Sequence, residues 1–203
     1  MNLVKFEPAD RYWFLTWTTY GTWLPGDTRG FVSNAWDGSN SWPRNNRPGT
    51  PSDRDIPLLA HMARQNLAGP PIRLTQSQAD ELLVQFTETA NCRRWQLLAV
   101  AIMANHCHIV LGVPGDPEPA QLLRDLKSYG SRRLNLRFGK PRAETWWTES
   151  GSRRKLPTHE SVLAAIKYVL DQHYALVIWT APIPELNLIG GRRPDLEGRI
   201  PIS

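Results

Sequence analysis

Cysteine is nearly absent, with only Cys92 and Cys107 in 203 residues. Two thiols cannot staple a small secreted scaffold, so a reducing, cytoplasmic compartment is the expectation. No run of 18 or more apolar residues occurs, which argues against a transmembrane helix and a membrane partner. The opening stretch MNLVKFEPADRYWF has no apolar segment of the kind a secretory signal needs. Negative charge is also in short supply, with 19 Asp+Glu against 24 Lys+Arg and a net charge of +5. Residues 116–158 hold ten basic residues and five acidic ones, so this one stretch equals the whole excess. Such an imbalance leans toward a polyanionic partner. What is plentiful is apolar content, at 41 %, which supports a real core and excludes global disorder.

The pattern along the chain is mixed. Residues 12–19, YWFLTWTT, have the aromatic and β-branched composition of a strand. From Tyr20 to about Pro71 the chain is rich in Gly, Pro, Asn, Ser and Asp. It reads as a long irregular excursion with at most a short helix around Leu58–Leu67. Thr75 or Ser77 caps a helix to about Asn91. Residues 95–103 form a central buried strand, Ala104-Asn105 a turn, and 106–113 a neighbouring strand. A helix is expected from Pro117 to about Arg137, a short strand around Trp146 and Trp147, and a third helix over 159–174, capped by Thr158. His173 would face the core from that last helix. The order is that of a ferredoxin-like, RRM-like βαββαβ sandwich in the α+β class, with an antiparallel central sheet and an added C-terminal helix. The domain expected is 1–180, with the long insertion at about 26–71 and a loosely ordered tail over 181–203.

His106 and His108 stand at i and i+2 on a strand, so both imidazoles leave the same face. That is metal-ligand spacing, although two strand histidines equally suit hydrogen-bonded surface roles. Cys107, pointing the other way, reads as a small core residue. On the third helix Tyr168 and Gln172 share a face and flank the stripe of Val162, Ile166, Val169 and Leu170. Two imidazoles, an amide oxygen and water suit Mg²⁺ or Mn²⁺, whereas Zn²⁺ would want a sulfur or carboxylate. Tyrosine is a competent nucleophile beside a metal, but an amphipathic surface tyrosine is the plainer reading of Tyr168 taken alone. Tyr174 is a weaker competitor.

Several strings resemble one family. ANHCHIVL is similar to the histidine strand of the HUH endonucleases. AAIKYVLDQ is similar to the tyrosine helix of their single-tyrosine transposases, which include insertion-sequence and REP-associated tyrosine transposases. TTYGTWLPGDTRG, LKSYGSRRLN and WWTESGSRRKL match further members, in the right order over about residues 12–174. The resemblance implies that His106, His108 and Gln172 bind one divalent cation, Mg²⁺ or Mn²⁺. It implies that Tyr168 attacks single-stranded, hairpin-bearing DNA, leaving a 5′-phosphotyrosine link and a free 3′-OH that can rejoin strands. It also implies a homodimer acting on nucleoid DNA. The alternative is a catalytically inactive or domesticated relative that only binds REP-like hairpins.

Arg132 and Arg133, with Arg153, Arg154 and Lys155 just before the tyrosine helix, are the candidate DNA-backbone contacts; a solvated basic surface is the competing reading. Trp146 and Trp147 could offer a stacking surface, at most one of them facing outward.

Overall fold

The computed structural model describes residues 9–24 and 57–182. Its elements are β1 (Arg11–Thr18), α1 (Pro57–Gln65), α2 (Gln76–Arg93), β2 (Gln96–Met103), β3 (His106–Val113), α3 (Pro119–Phe138), β4 (Ser152–Lys155), α4 (His159–Leu170) and β5 (Ala175–Thr180). One five-stranded sheet runs β4-β1-β3-β2-β5, with every pairing antiparallel. The first four strands follow the βαββαβ order of the expected α+β sandwich. Most of the 26–71 insertion and nearly all of the 181–203 tail lie outside the described residues, α1 and residues 66–71 being the described end of the insertion.

Alternation sorts β1 into two faces. Trp13, Leu15 and Trp17 are buried on one, while Tyr12, Phe14, Thr16 and Thr18 line the other. The tryptophan face is covered by α2 and α3. There Trp17 meets Phe86 edge-on, ring centroids 5.6 Å apart, among Leu82, Leu122, Leu126 and Leu134. The opposite face is covered by α4 through Val162, Ala165, Ile166 and Val169, packed on Ala99, Ala101 and Val110. Cys107 belongs to the tryptophan-side core, where burial pushes its thiol pKa up. Among the described residues, no helix is long and apolar enough to cross a membrane.

The helix starts follow capping chemistry. Thr75 Oγ1 accepts from Gln78 N, and Thr75 N donates to Gln78 Oε1; Thr158 and Ser161 repeat the arrangement on α4. At the far end of α3, Gly139 takes φ +80°, a conformation that favours glycine.

Three expectations need correction. Trp146 and Trp147 lie in no strand: Trp147 makes one isolated bridge to Thr19, and the strand begins at Ser152. A pleated strand would send the two indoles to opposite faces, and here both are buried with their N–H groups satisfied. Trp146 donates to Asn135 Oδ1 at 2.8 Å and Trp147 to Lys127 O at 3.0 Å. An irregular segment allows both, so neither indole is a stacking surface. The third helix also stops at Leu170 rather than 174, since ALVIWT follows and its β-branched and aromatic residues pair with the edge of β2. His173 consequently lies in the turn and is exposed instead of facing the core.

Candidate active site

Two strands and one helix build the site. Register sets Thr16 opposite His108 and Thr18 opposite His106, so β1 lays a hydroxyl beside each histidine. The imidazole rings stand 4.8 Å apart at 83°. Thr16 Oγ1 lies 2.7 Å from His108 Nδ1, and Asn105 Oδ1 lies 2.7 Å from His106 Nδ1. An amide oxygen only accepts, so Nδ1 of His106 carries a proton.

His108 is 5 % exposed, and its Nε2 is buried without a hydrogen-bond partner. An orphaned buried nitrogen is costly unless something else comes to it. Burial first, and the neighbouring His106 second, hold the His108 pKa down at about 4. Its imidazole is therefore neutral near pH 7, the form that ligates metal. These observations fit a divalent cation. Among the described residues no group of three His, Cys, Asp or Glu side chains assembles, so further ligands would be amide, phosphate or water oxygens, a set suited to Mg²⁺ or Mn²⁺.

Phe14 forms the floor. Its ring stacks on His108 at 5.3 Å and 29° and meets Tyr168 edge-on at 5.7 Å. Tyr168, half exposed on the flank of α4, also stands edge-on to His108, with ring centroids 5.3 Å apart. Tyr168 thus meets His108, whose ring in turn meets His106, all within one chain. Tyr174 is 92 % exposed in the turn after α4. Gln172 falls just beyond the helix end rather than on it. Its Nε2 donates to Tyr168 O at 2.9 Å, closing the last turn instead of reaching toward the imidazoles.

The basic candidates separate. Arg133 is committed to Glu81 at 2.6 Å and Glu88 at 3.1 Å, cross-linking α2 and α3, and the hydrogen bond from Arg133 holds the Glu81 carboxyl below its usual range. Arg132 lies exposed over the Tyr129 ring at 5.3 Å. Arg153, Arg154 and Lys155 are all exposed on edge strand β4. Register puts Arg154 opposite Phe14, hence on the histidine face, and Arg153 and Lys155 opposite Leu15 and Trp13, on the other.

Sequence reasoning missed Phe14, Thr16 and Asn105. The alternation of Tyr12, Phe14, Thr16 and Thr18 was visible, but which strand they would face was not. It also missed Lys127, whose Nζ donates to the main-chain oxygens of Thr148, of Glu149 at 2.9 Å and of Ser150 at 3.2 Å. Burial draws its pKa down to about 8, opposed by Glu149, while the three carbonyls hold the ammonium in place.

Residues 72–172 match the model of a family described as transposase, IS200 like. Two solved structures are similar overall. One is a protein of Deinococcus radiodurans R1 assigned as a transposase, 16 % identical, covering 86 % of this chain and 100 % of that one, with a TM-score of 0.44. The other is a REP-associated tyrosine transposase bound to a REP hairpin, 12 % identical, covering 100 % and 99 %, with a TM-score of 0.46. No curated protein sequence matches the chain.

Proposed function

The chain belongs to the IS200-like transposase family, and from that premise we propose that it cuts and rejoins single-stranded, hairpin-bearing DNA through Tyr168. The observation that carries this is the meeting of Tyr168 with the His106–His108 pair on one face of one sheet. A nucleophile and a cation site side by side are what in-line phosphoryl transfer requires.

In this reading His106 and His108 would hold a divalent cation through their Nε2 atoms, and Gln172, released from the Tyr168 carbonyl, would be the third protein ligand. Bound there, Mg²⁺ or Mn²⁺ supplies charge neutralisation at the scissile phosphate. Thr16 and Asn105 keep the imidazoles turned so that each Nε2 can serve as a cation ligand. The phenolic oxygen of Tyr168 gives its proton to solvent and bonds to phosphorus. The P–O3′ bond breaks, and the 3′ oxygen leaves and is protonated to a 3′-OH. The protein keeps the 5′-phosphate on Tyr168, and a 3′-OH attacking that phosphorus restores both the tyrosine and a continuous strand. One phosphodiester is exchanged for another, so no nucleotide triphosphate is consumed.

Arg154 stands on the histidine face beside Phe14 and draws the DNA backbone toward the site. Arg132, Arg153 and Lys155 extend the basic surface, while Arg133 serves the α2–α3 ion pairs. Residues 1–180 act as one catalytic unit with the 26–71 insertion, working on DNA in the cytoplasm as a homodimer.

The test incubates the protein and its Tyr168→Phe variant with Mn²⁺ and single-stranded oligonucleotides spanning the palindromes that flank its gene. A denaturation-resistant protein–DNA adduct is expected with the parent and absent from the variant. Adduct persisting in Tyr168→Phe would move the nucleophile to Tyr174 or elsewhere. Hairpin binding with no adduct from either protein would leave a DNA-binding protein without the chemistry.

A further inference from the structure

On the face of the sheet away from the histidines, a cleft of about 460 Å³ opens between α3 and the 145–150 segment. Its volume is within the range of ligand-sized sites. Arg124, Lys127, Ser128 and Ser131 line it from a single side of α3, being spaced three, four and seven residues apart. Trp147 and Arg153 close the other wall.

Two of these six are already spent. The Lys127 ammonium is held by three main-chain oxygens, and the Trp147 indole donates to Lys127 O. They fix the wall in place without offering donors. The remaining four, the guanidinium groups of Arg124 and Arg153 and the hydroxyls of Ser128 and Ser131, make no hydrogen bond or ion pair with other described residues. Three other cations on α2 and α3 are matched, Arg93 with Asp125 at 3.0 Å, Arg133 with Glu81 at 2.6 Å and Arg137 with Glu81 at 3.0 Å, while Arg132 lies over the Tyr129 ring outside the cleft. The cleft thus gathers two guanidinium groups and two hydroxyls that are left without acceptors, with Glu149 the one acidic residue on its lining.

We propose that this cleft binds one phosphodiester of the DNA strand, with Arg124 and Arg153 on its oxygens and Ser128 and Ser131 completing the contacts. Guanidinium forks suit a tetrahedral phosphate, and hydroxyls add neutral donors to it. A strand, rather than a small anion, is favoured by β4. Consecutive residues Arg153 and Arg154 face opposite sides of an edge strand whose outer side pairs with nothing described. They mark a path over the sheet edge from the histidine face into the cleft. The cleft is an anchor for DNA entering or leaving the site and takes no part in bond breaking. It rests on the reading of the chain as a single-strand DNA enzyme.

Fluorescence anisotropy with a labelled single-stranded oligonucleotide, titrated against salt, tests it on the full chain. Arg124→Gln is expected to weaken binding by roughly five- to tenfold and to lower the salt slope by about 0.7, the value for one phosphate contact on a single strand. Arg124→Lys should restore the slope, and Mn²⁺ binding should be unchanged in both. If Arg124→Gln binds like the parent while Arg154→Gln weakens, the cleft is empty of DNA and the proposed function stands. If the parent binds no single strand, both readings fall. If inorganic phosphate or dTMP occupies the cleft as tightly as the oligonucleotide, in an Arg124-dependent way, the site takes a free anion and the strand assignment is wrong.

Discussion

Thr16 Oγ1 and His108 Nδ1 lie 2.7 Å apart, across two strands brought into register by residues remote in sequence. The hydroxyl fixes the ring and leaves Nε2, buried and unpartnered, as the atom offered to a cation. Thr16→Val keeps the shape and removes the oxygen. Mn²⁺ affinity, followed by calorimetry on DNA-free protein, should fall roughly tenfold, the usual cost of losing a partner behind a ligand. Thr16→Ser should recover most of it. Unchanged affinity in Thr16→Val would leave the threonine with a packing role alone.

The depressed pKa of His108 has a consequence for stability in the metal-free protein. Its folded value is about 4 and its ordinary value 6.5. Between these, the unfolded chain takes up a proton that the folded chain refuses, so folding weakens as pH falls through that window. It is strongest above it. The slope from this one group approaches about 1.4 kcal/mol per pH unit. Denaturant unfolding measured across the window should show that slope, and His108→Gln should flatten it. An identical slope in the variant would place the proton uptake elsewhere.

Much of this site could be read in the chain and part of it could not, for one physical reason. Period-two alternation put His106 and His108 on one face and Cys107 in the core, and cap chemistry marked two helix starts, at Thr158 and at Thr75 or Ser77, of which Thr75 is the cap. Helical spacing put Tyr168 on the flank of its apolar stripe, and it is half exposed there. These are local properties. Phe14 beneath His108, Thr16 behind it and Arg154 beside Phe14 depend on strand register, which no local pattern specifies. Arg133 looked like a DNA contact from its charge, and only the packing of α2 against α3 shows its acidic partners. Helix periodicity extended through Gln172, but the strand that starts at Ala175 needs a turn before it, and residues 171–174 form that turn.

Gly151 joins the cleft wall to β4 and sits against the strand that carries Thr16. A Cβ there would come within 2.7 Å of Thr16 O, 2.9 Å of Leu123 Cδ2 and 3.0 Å of Trp17 Cβ. A backbone oxygen and a packed indole stem cannot give way cheaply. Gly151→Ala should destabilise the fold by about 1–3 kcal/mol, as overpacking does, and push β4 away from β1. Thermal melting gives the first effect, and amide exchange at Arg153 and Arg154 the second. Wild-type melting with unchanged protection would show that the edge strand tolerates the shift.

Gln172 can serve two roles, as a helix cap or as a cation ligand, that one substitution separates. Its amide now closes the last turn of α4 on Tyr168 O at 2.9 Å, a contribution of about 1 kcal/mol at most for an exposed neutral bond. As the third protein ligand it would turn its Oε1 to the cation, and the turn-closing bond would open when metal binds. Gln172→Ala should then lower Mn²⁺ affinity by roughly tenfold, with only a small drop in melting temperature. Gln172→Glu, which keeps an oxygen donor and adds charge, should bind Mn²⁺ at least as well as the parent. If Gln172→Ala loses stability but keeps full Mn²⁺ affinity, Gln172 is a helix cap and the cation is held by His106, His108 and oxygen atoms of substrate and water.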